Sequence, residues 1–390
     1  MKKFFIALLT LALVAGNLFA QTTISGGVGY KWTVVGGDSA KDDLSTGYSV
    51  IAPQITIKGQ NEEGTFGGLL RLGAQVDWGA GHYAYAWWKP LDFLRLKFGV
   101  DGDGEWGRTD IVGWGFHSGA QDFVAESNDG KFGTAFFGGF GGFGLWTSFT
   151  LIPNLAVNLA VPYPSSTLGP DALGQATASG IAKDIYNQIK VNIAYTFSGA
   201  GTASLAYESD SGKKDHTGKI SGSFLVTAIS GIQINIGAKY TLPAEEEVAS
   251  VLTTYNYPVA VGLGFSYAEG DFGVKARLNF DFAGSTKVGS ADPHETPFVF
   301  NFAVMPYYNL GIFTAYLNIA LADLTGAEEN GNDLHFGWYV NPYLVKAIGP
   351  GKIYAGFLLK GDPKKKAGST TEYDGFDITW AIPVGISYSF

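Results

Sequence analysis

The chain has 390 residues, 46% hydrophobic and 15% aromatic, with 55 Gly, two Met and no Cys. Its formal charge of −9 leaves no electrostatic footprint for nucleic acid, and the lack of cysteine excludes a disulfide scaffold. After the first twenty residues no run of ~18 apolar residues occurs, which excludes a helical membrane protein.

Met1 to Ala20 reads MKKFFIALLTLALVAGNLFA. Lys2 and Lys3 form a positive n-region, Phe4 to Ala15 an apolar h-region, and Ala20 a small residue at a cleavage site. The apolar run is shorter than the ~20 residues of a spanning helix, and no Cys follows it for lipid attachment. Residues 1–20 are therefore expected to be a signal peptide, and 21–390 the folded unit.

From there the chain alternates. Ile24, Val28, Tyr30, Trp32 and Val34 mark a first strand, and Tyr48 to Ile57 a second. Leu70 and Leu72 face away from Arg71, and Leu94, Leu96 and Phe98 from Arg95 and Lys97. The pattern continues through Ile189 to Phe197, Ile232 to Tyr240, Val259 to Tyr267, Phe272 to Phe282 and Phe298 to Val304. It resumes in Phe313 to Leu321, Phe336 to Leu344 and Ile353 to Leu359. Short Gly, Asn, Asp and Pro turns join antiparallel neighbours, as at Ile152-Pro153-Asn154, Ser230-Gly231, Glu269-Gly270-Asp271 and Gly349-Pro350-Gly351. Longer polar connections alternate with them: Gly36 to Ser45, Asp101 to about Gly141, Pro164 to Asn187, Ser209 to His216, Thr241 to Asn256, Gly284 to Thr296, Thr325 to Leu334 and Gly361 to Asp374.

Short turn, long loop, short turn is the rhythm of a transmembrane, antiparallel, up-and-down β-barrel. The count is about 18 strands, or about 16 if two early pairs are misread. A soluble β-sandwich shares the turn rhythm but leaves the apolar C-terminus without a purpose.

If the apolar set faces lipid, the opposite set lines the lumen. That set holds Arg71, Arg95, Lys97, Lys190, Lys239, Lys275, Arg277 and Lys352, together with Lys31 and asparagines at 158, 192, 235, 279, 301, 318 and 341. Wall carboxylates are fewer: Asp77, Glu208, Asp281 and Asp377. A barrel this wide cannot be filled by wall side chains alone, so a hydrated lumen is expected. A plugged barrel is the alternative, but the first strand begins within about three residues of Ala20, leaving no plug domain.

Other motifs carry little. Gly102, Gly104 and Gly107 match a dinucleotide fingerprint, as do Gly139, Gly141 and Gly144, but neither opens a helix. The acidic run from Asp101 to Glu105 lacks the closing bidentate Glu of a Ca²⁺ loop, and the five His lack zinc spacing. His117 near Asp110 and Asp122 is the one conceivable catalytic cluster, and it is not taken as one. Lys364-Lys365-Lys366 reads as a solvated loop tip. No metal, cofactor or enzymatic activity is expected.

The chain ends FDITWAIPVGISYSF, apolar at every second position to its last residue. Chain ends ordinarily fray. Gly385, Tyr388 and Phe390 resemble the C-terminal assembly signal of bacterial outer-membrane barrels. The whole of 21–390 resembles bacterial outer-membrane porins, and the hairpin Trp87 to Lys97 resembles hairpins of the spirochaetal type. The resemblance implies residence in the lipid bilayer of a diderm outer membrane, insertion by the barrel-assembly machinery, homotrimers as the usual assembly, and passive diffusion of small hydrophilic solutes. In general porins the third extracellular loop narrows the lumen. Here that loop would be 101–141, carrying Asp101, Asp103, Glu105 and Asp110 opposite Arg71, Arg95 and Lys97, so that a transverse field crosses the constriction. A surface-exposed acidic cap is the other reading of that loop. A surface adhesin is the rival function for the protein, and a channel for hydrophobic compounds is disfavoured by the polar wall.

Overall fold

Period-two alternation in the sequence becomes strand after strand. The computed structural model describes residues 21–39, 43–72, 83–101, 142–162, 189–209, 218–248, 251–256, 259–282, 284–296, 298–325, 335–367 and 373–390. The regular structure among them is entirely β.

The first strands are β1 (Gln21–Asp38), β2 (Asp43–Gln60), β3 (Phe66–Leu72), β4 (Tyr83–Leu91) and β5 (Leu94–Asp101). Then come β6 (Gly142–Phe149), β7 (Leu155–Pro162), β8 (Lys190–Phe197), β9 (Gly201–Ser209), β10 (Gly218–Val226) and β11 (Ile232–Thr241). β12 (Ala244–Val248) and β13 (Val251–Asn256) precede β14 (Ala260–Glu269) and β15 (Phe272–Asp281). β16 (Gly284–Val288) and β17 (His294–Thr296) precede β18 (Val299–Asn309), β19 (Thr314–Thr325) and β20 (His335–Ile348). The chain ends with β21 (Gly351–Gly356), β22 (Leu358–Lys365) and β23 (Tyr373–Ser389).

The main sheet contains 19 segments, each antiparallel to its neighbours, and β1 pairs with β23 to close it. β21 and β22 are one strand. Both lie between β20 and β23, and the register that pairs Tyr343 with Gly356 also pairs Val340 with Leu359 across the break at Phe357. The barrel therefore has 18 strands, the larger of the two expected counts. Closure leaves no sheet edge, so every ladder group can be satisfied inside a bilayer.

The closing pair runs from Gly27↔Ser389 to Asp38↔Thr379, with the stagger that closing a tilted sheet demands. Two expectations are corrected. The connection Gly36 to Ser45 is not a loop, because Gly36 pairs with Ser45 and Asp38 with Asp43. The polar connections Thr241 to Asn256 and Gly284 to Thr296 are also structured: β12, β13, β16 and β17 form a separate four-stranded antiparallel sheet. Val251, Thr253, Thr254 and Tyr255 suit a strand; β13 pairs with β12 in its own connection and finds its second partner, β16, in the next long connection.

Local chemistry explains the turns. Asn154 has φ 67°, a left-handed conformation that Asn tolerates where most residues do not. Pro90 falls inside the register shift between Trp88 and Leu91, where its missing N–H interrupts no regular rung.

Candidate functional site: the inner wall

Register assigns each strand residue to one of two faces. The outer face is apolar: Tyr30, Trp32, Trp88, Phe98, Leu205, Ile236 and Ile386 are all exposed. The inner face carries the polar set, much of it covered by neighbouring side chains.

All eight expected wall cations lie on this inner face. Arg71 stands opposite Thr56 and donates to the Gln54 side-chain oxygen. Arg95 pairs with Ser148, and Lys97 with Trp87 and Trp146. Lys190 lies opposite Ala160 and Glu208, and Lys239 opposite Ser221. Lys275 faces Met305, Arg277 faces Ala303, and Lys352 faces Ser387. Lys58, Lys219 and Lys360, not among the expected wall residues, share that face; their alternation with Ile57, Ile220 and Leu359 is the sequence signal for them. Among residues whose side chains are described, carboxylates on the same face are fewer: Glu208, Asp281, Asp362 and Asp377, with Asp38 at the end of β1. Lys190 Nζ reaches Glu208 at 2.5 Å, and Lys360 Nζ reaches Asp362 at 2.7 Å.

On β4 to β6 the cations sit against aromatic rings. The Trp87 indole lies flat over Gly67, where a Cβ would come 2.1 Å from its Cζ2. Lys58 Nζ is 5.6 Å and the Arg95 guanidinium 5.5 Å from the centre of the same ring. Lys97 Nζ is 3.8 Å from the Tyr85 ring and 5.8 Å from Trp146. A ring quadrupole attracts a cation without itself carrying a compensating charge.

The sector on β18 to β21 differs. Tyr307 lies 5.5 Å from Tyr316, which stacks on Tyr343 at 4.7 Å and 4°. The Tyr343 hydroxyl donates to Met305 Sδ at 3.5 Å, and Ala303, Met305, Ala320 and Tyr339 form a buried cluster. Lys97 and Arg277 are each only 1% exposed, and the asparagines of the wall are buried. Side chains lie along the wall and cover one another. Asn158 donates to Asn192 at 3.1 Å, while Asn279 faces Asn301 and Asn318 faces Asn341 across adjacent strands.

The acidic loop expected to oppose this wall lies almost wholly outside the described residues. Asp101 is the last residue of β5, and Asp103, Glu105 and Asp110 lie outside the described residues, as do Asp77, His117 and residues 1–20. The residues expected to form an assembly signal lie on two faces: Gly385 underlies buried Tyr354, whereas Tyr388 and Phe390 are exposed with ring centres 6.4 Å apart, and Phe390 bonds to Gly26. Among the described residues no group of three or more His, Cys, Asp or Glu could hold a metal ion.

No protein-family model matches this chain, and neither does any curated protein. Solved structures do resemble it. OpdQ of Pseudomonas aeruginosa superposes with a TM-score of 0.55 at 10% identity, over 95% of this chain and 98% of that one. The anion-selective porin from Comamonas acidovorans gives 0.51 at 12%, over 95% and 99%. OccK3 (OpdO) of Pseudomonas aeruginosa gives 0.51 at 15%, over 96% and 97%. At these identities the likeness is one of fold. The fold is thus a closed, antiparallel 18-strand barrel, similar to the barrels of these solved structures.

Proposed function

We propose that the protein is an outer-membrane channel for passive diffusion of small hydrophilic solutes and ions, with a preference for anions. One observation carries this reading: among the described residues the inner face presents more cations than carboxylates, and several of those cations rest on aromatic rings. Low-dielectric walls focus the field of such charges and concentrate anions in the passage. The apolar outer face makes lipid the surrounding medium. Residues 1–20 would direct export and be removed after Ala20. The terminal strand would recruit the barrel-assembly machinery, and homotrimers would be the assembly. The hairpin at 87–97 supports the spirochaetal type, and 101–141 would supply the acidic side of a constriction.

Planar bilayers test the reading. Nanosiemens-scale steps are expected, with a reversal potential on the anion side under a salt gradient. Arg71→Glu and Arg95→Glu together should move it toward the cation side. Conductance with no such shift would remove these residues from the selectivity wall.

A second reading, a surface interaction protein, is favoured by the four-stranded sheet β12–β13–β16–β17, which gives two of the long connections an ordered surface. Silence in bilayers from correctly folded protein would favour it.

A further inference from the structure

The short connections of the barrel carry large aliphatic side chains where turns ordinarily carry polar ones. Leu151 is 70% exposed and Ile312 is 69% exposed; Ile152, Ile229, Leu310 and Ile348 are each roughly half exposed. Turn geometry does not require them, since the left-handed positions are filled by Asn154, Gly231, Gly311 and Gly349. Internal packing does not explain them either, because they are exposed. They are also not a general property of the short turns. Asn61-Glu62-Glu63-Gly64-Thr65 and Glu269-Gly270-Asp271 are polar connections on the same end of the barrel.

Each aliphatic turn instead prolongs the outer apolar face of its own strand. Leu151 and Ile152 follow exposed Phe149, Ile229 follows Phe224, Leu310 and Ile312 follow Tyr308, and Ile348 follows Leu344. Tyr and Trp side chains on a barrel's outer surface settle at the membrane–water boundary. Tyr308 is such a residue, and Leu310 and Ile312 lie beyond it along the chain. We propose that these turns are seated in the headgroup–acyl boundary of the leaflet at the short-turn end, with phospholipid as their partner, while the polar turns at 61–65 and 269–271 stand in water. Uneven immersion around the rim would set the depth and inclination of the barrel in the membrane. The inference rests on the outer face being lipid-facing.

The chain contains no Cys, so an introduced one is unique. The full chain carrying Leu151→Cys, Ile312→Cys, Glu63→Cys, Asp271→Cys or Tyr308→Cys, labelled with an environment-sensitive fluorophore, is reconstituted into phosphatidylcholine vesicles. Quenching is measured with iodide on both sides of the membrane and, separately, with lipid bearing a shallow nitroxide. Labels at 151 and 312 should be severalfold less sensitive to iodide than those at 63 and 271, and strongly quenched by the nitroxide lipid. Iodide quenching at 151 and 312 equal to that at 63 and 271, with the label at 308 still protected, overturns this inference alone. Iodide access at 308 as well overturns the lipid-facing assignment of the belt and the inference with it. Conductance, recorded on the same preparations, reports on the channel reading independently.

Discussion

Gly26 and Phe390 exchange both of their backbone hydrogen bonds: the Gly26 N–H donates to the Phe390 carbonyl at 2.8 Å, and the Phe390 N–H donates to the Gly26 carbonyl at 3.0 Å. The last residue of the chain is therefore the last rung of the seam that closes the barrel. Its ring covers Gly26, where a Cβ would lie 2.6 Å from Phe390 Cζ and 2.6 Å from the Gln54 carbonyl oxygen. Gly26→Val is expected to lower stability by about 1–3 kcal/mol through overpacking, seen as a lower urea midpoint of the folded barrel in electrophoretic mobility assays. Deleting Phe390 should slow insertion into bilayers far more than it changes the conductance of channels that do insert. Unchanged insertion kinetics would remove this seam from the assembly step.

Tyr354 and Gly385 face each other across β21 and β23, and a Cβ on Gly385 would come 2.0 Å from Tyr354 Cε2. The glycine of the terminal motif thus has a packing role of its own. Gly385→Ala should cost about 1–3 kcal/mol, and adding Tyr354→Ala should recover part of that loss in a double-mutant cycle. A residue needed only for recognition by an assembly partner would show no such recovery.

Glu208 bonds Lys190 on the inner wall, with both side chains partly shielded from solvent. Glu208→Gln removes one of the few carboxylates on that face. Reversal potentials should then move further toward the anion side, opposite in sign to the shift expected for Arg95→Glu. Shifts of the same sign would disprove an electrostatic origin of selectivity.

β13 pairs with β16 through Thr253↔Val288, and the Asn256 side-chain amide donates to Ser285 Oγ at 3.3 Å. Each connection therefore orders the other. Replacing 243–258 with a short Gly-Ser linker should make the 289–293 turn severalfold more sensitive to limited proteolysis while the barrel keeps its folded mobility. Protection unchanged by the replacement would mean that the second connection holds its shape alone.

Much of this was legible in the sequence, and particular residues show where legibility stopped. Alternation at 94–98 is enough to put Arg95 and Lys97 on one face, and the same rule applies at 275–277. What alternation cannot report is coverage. Lys97 and Arg277 belong to the expected face yet are buried; for Lys97 the Tyr85 and Trp146 rings on neighbouring strands supply cover. Nor could it find the second sheet, since Thr253 meets Val288 only after the barrel has brought two connections together.

The sequence by itself determined the strand character, the division into an apolar and a polar face, and the ordered aromatic end, because a period of two is a local property of successive residues. Tertiary structure decided the closing register, the merging of β21 and β22 into one strand, and which wall cations lie covered. These depend on pairings between distant residues, as when the Ile378 N–H donates to Ser39 Oγ, and on the stagger that a tilted sheet must adopt to close.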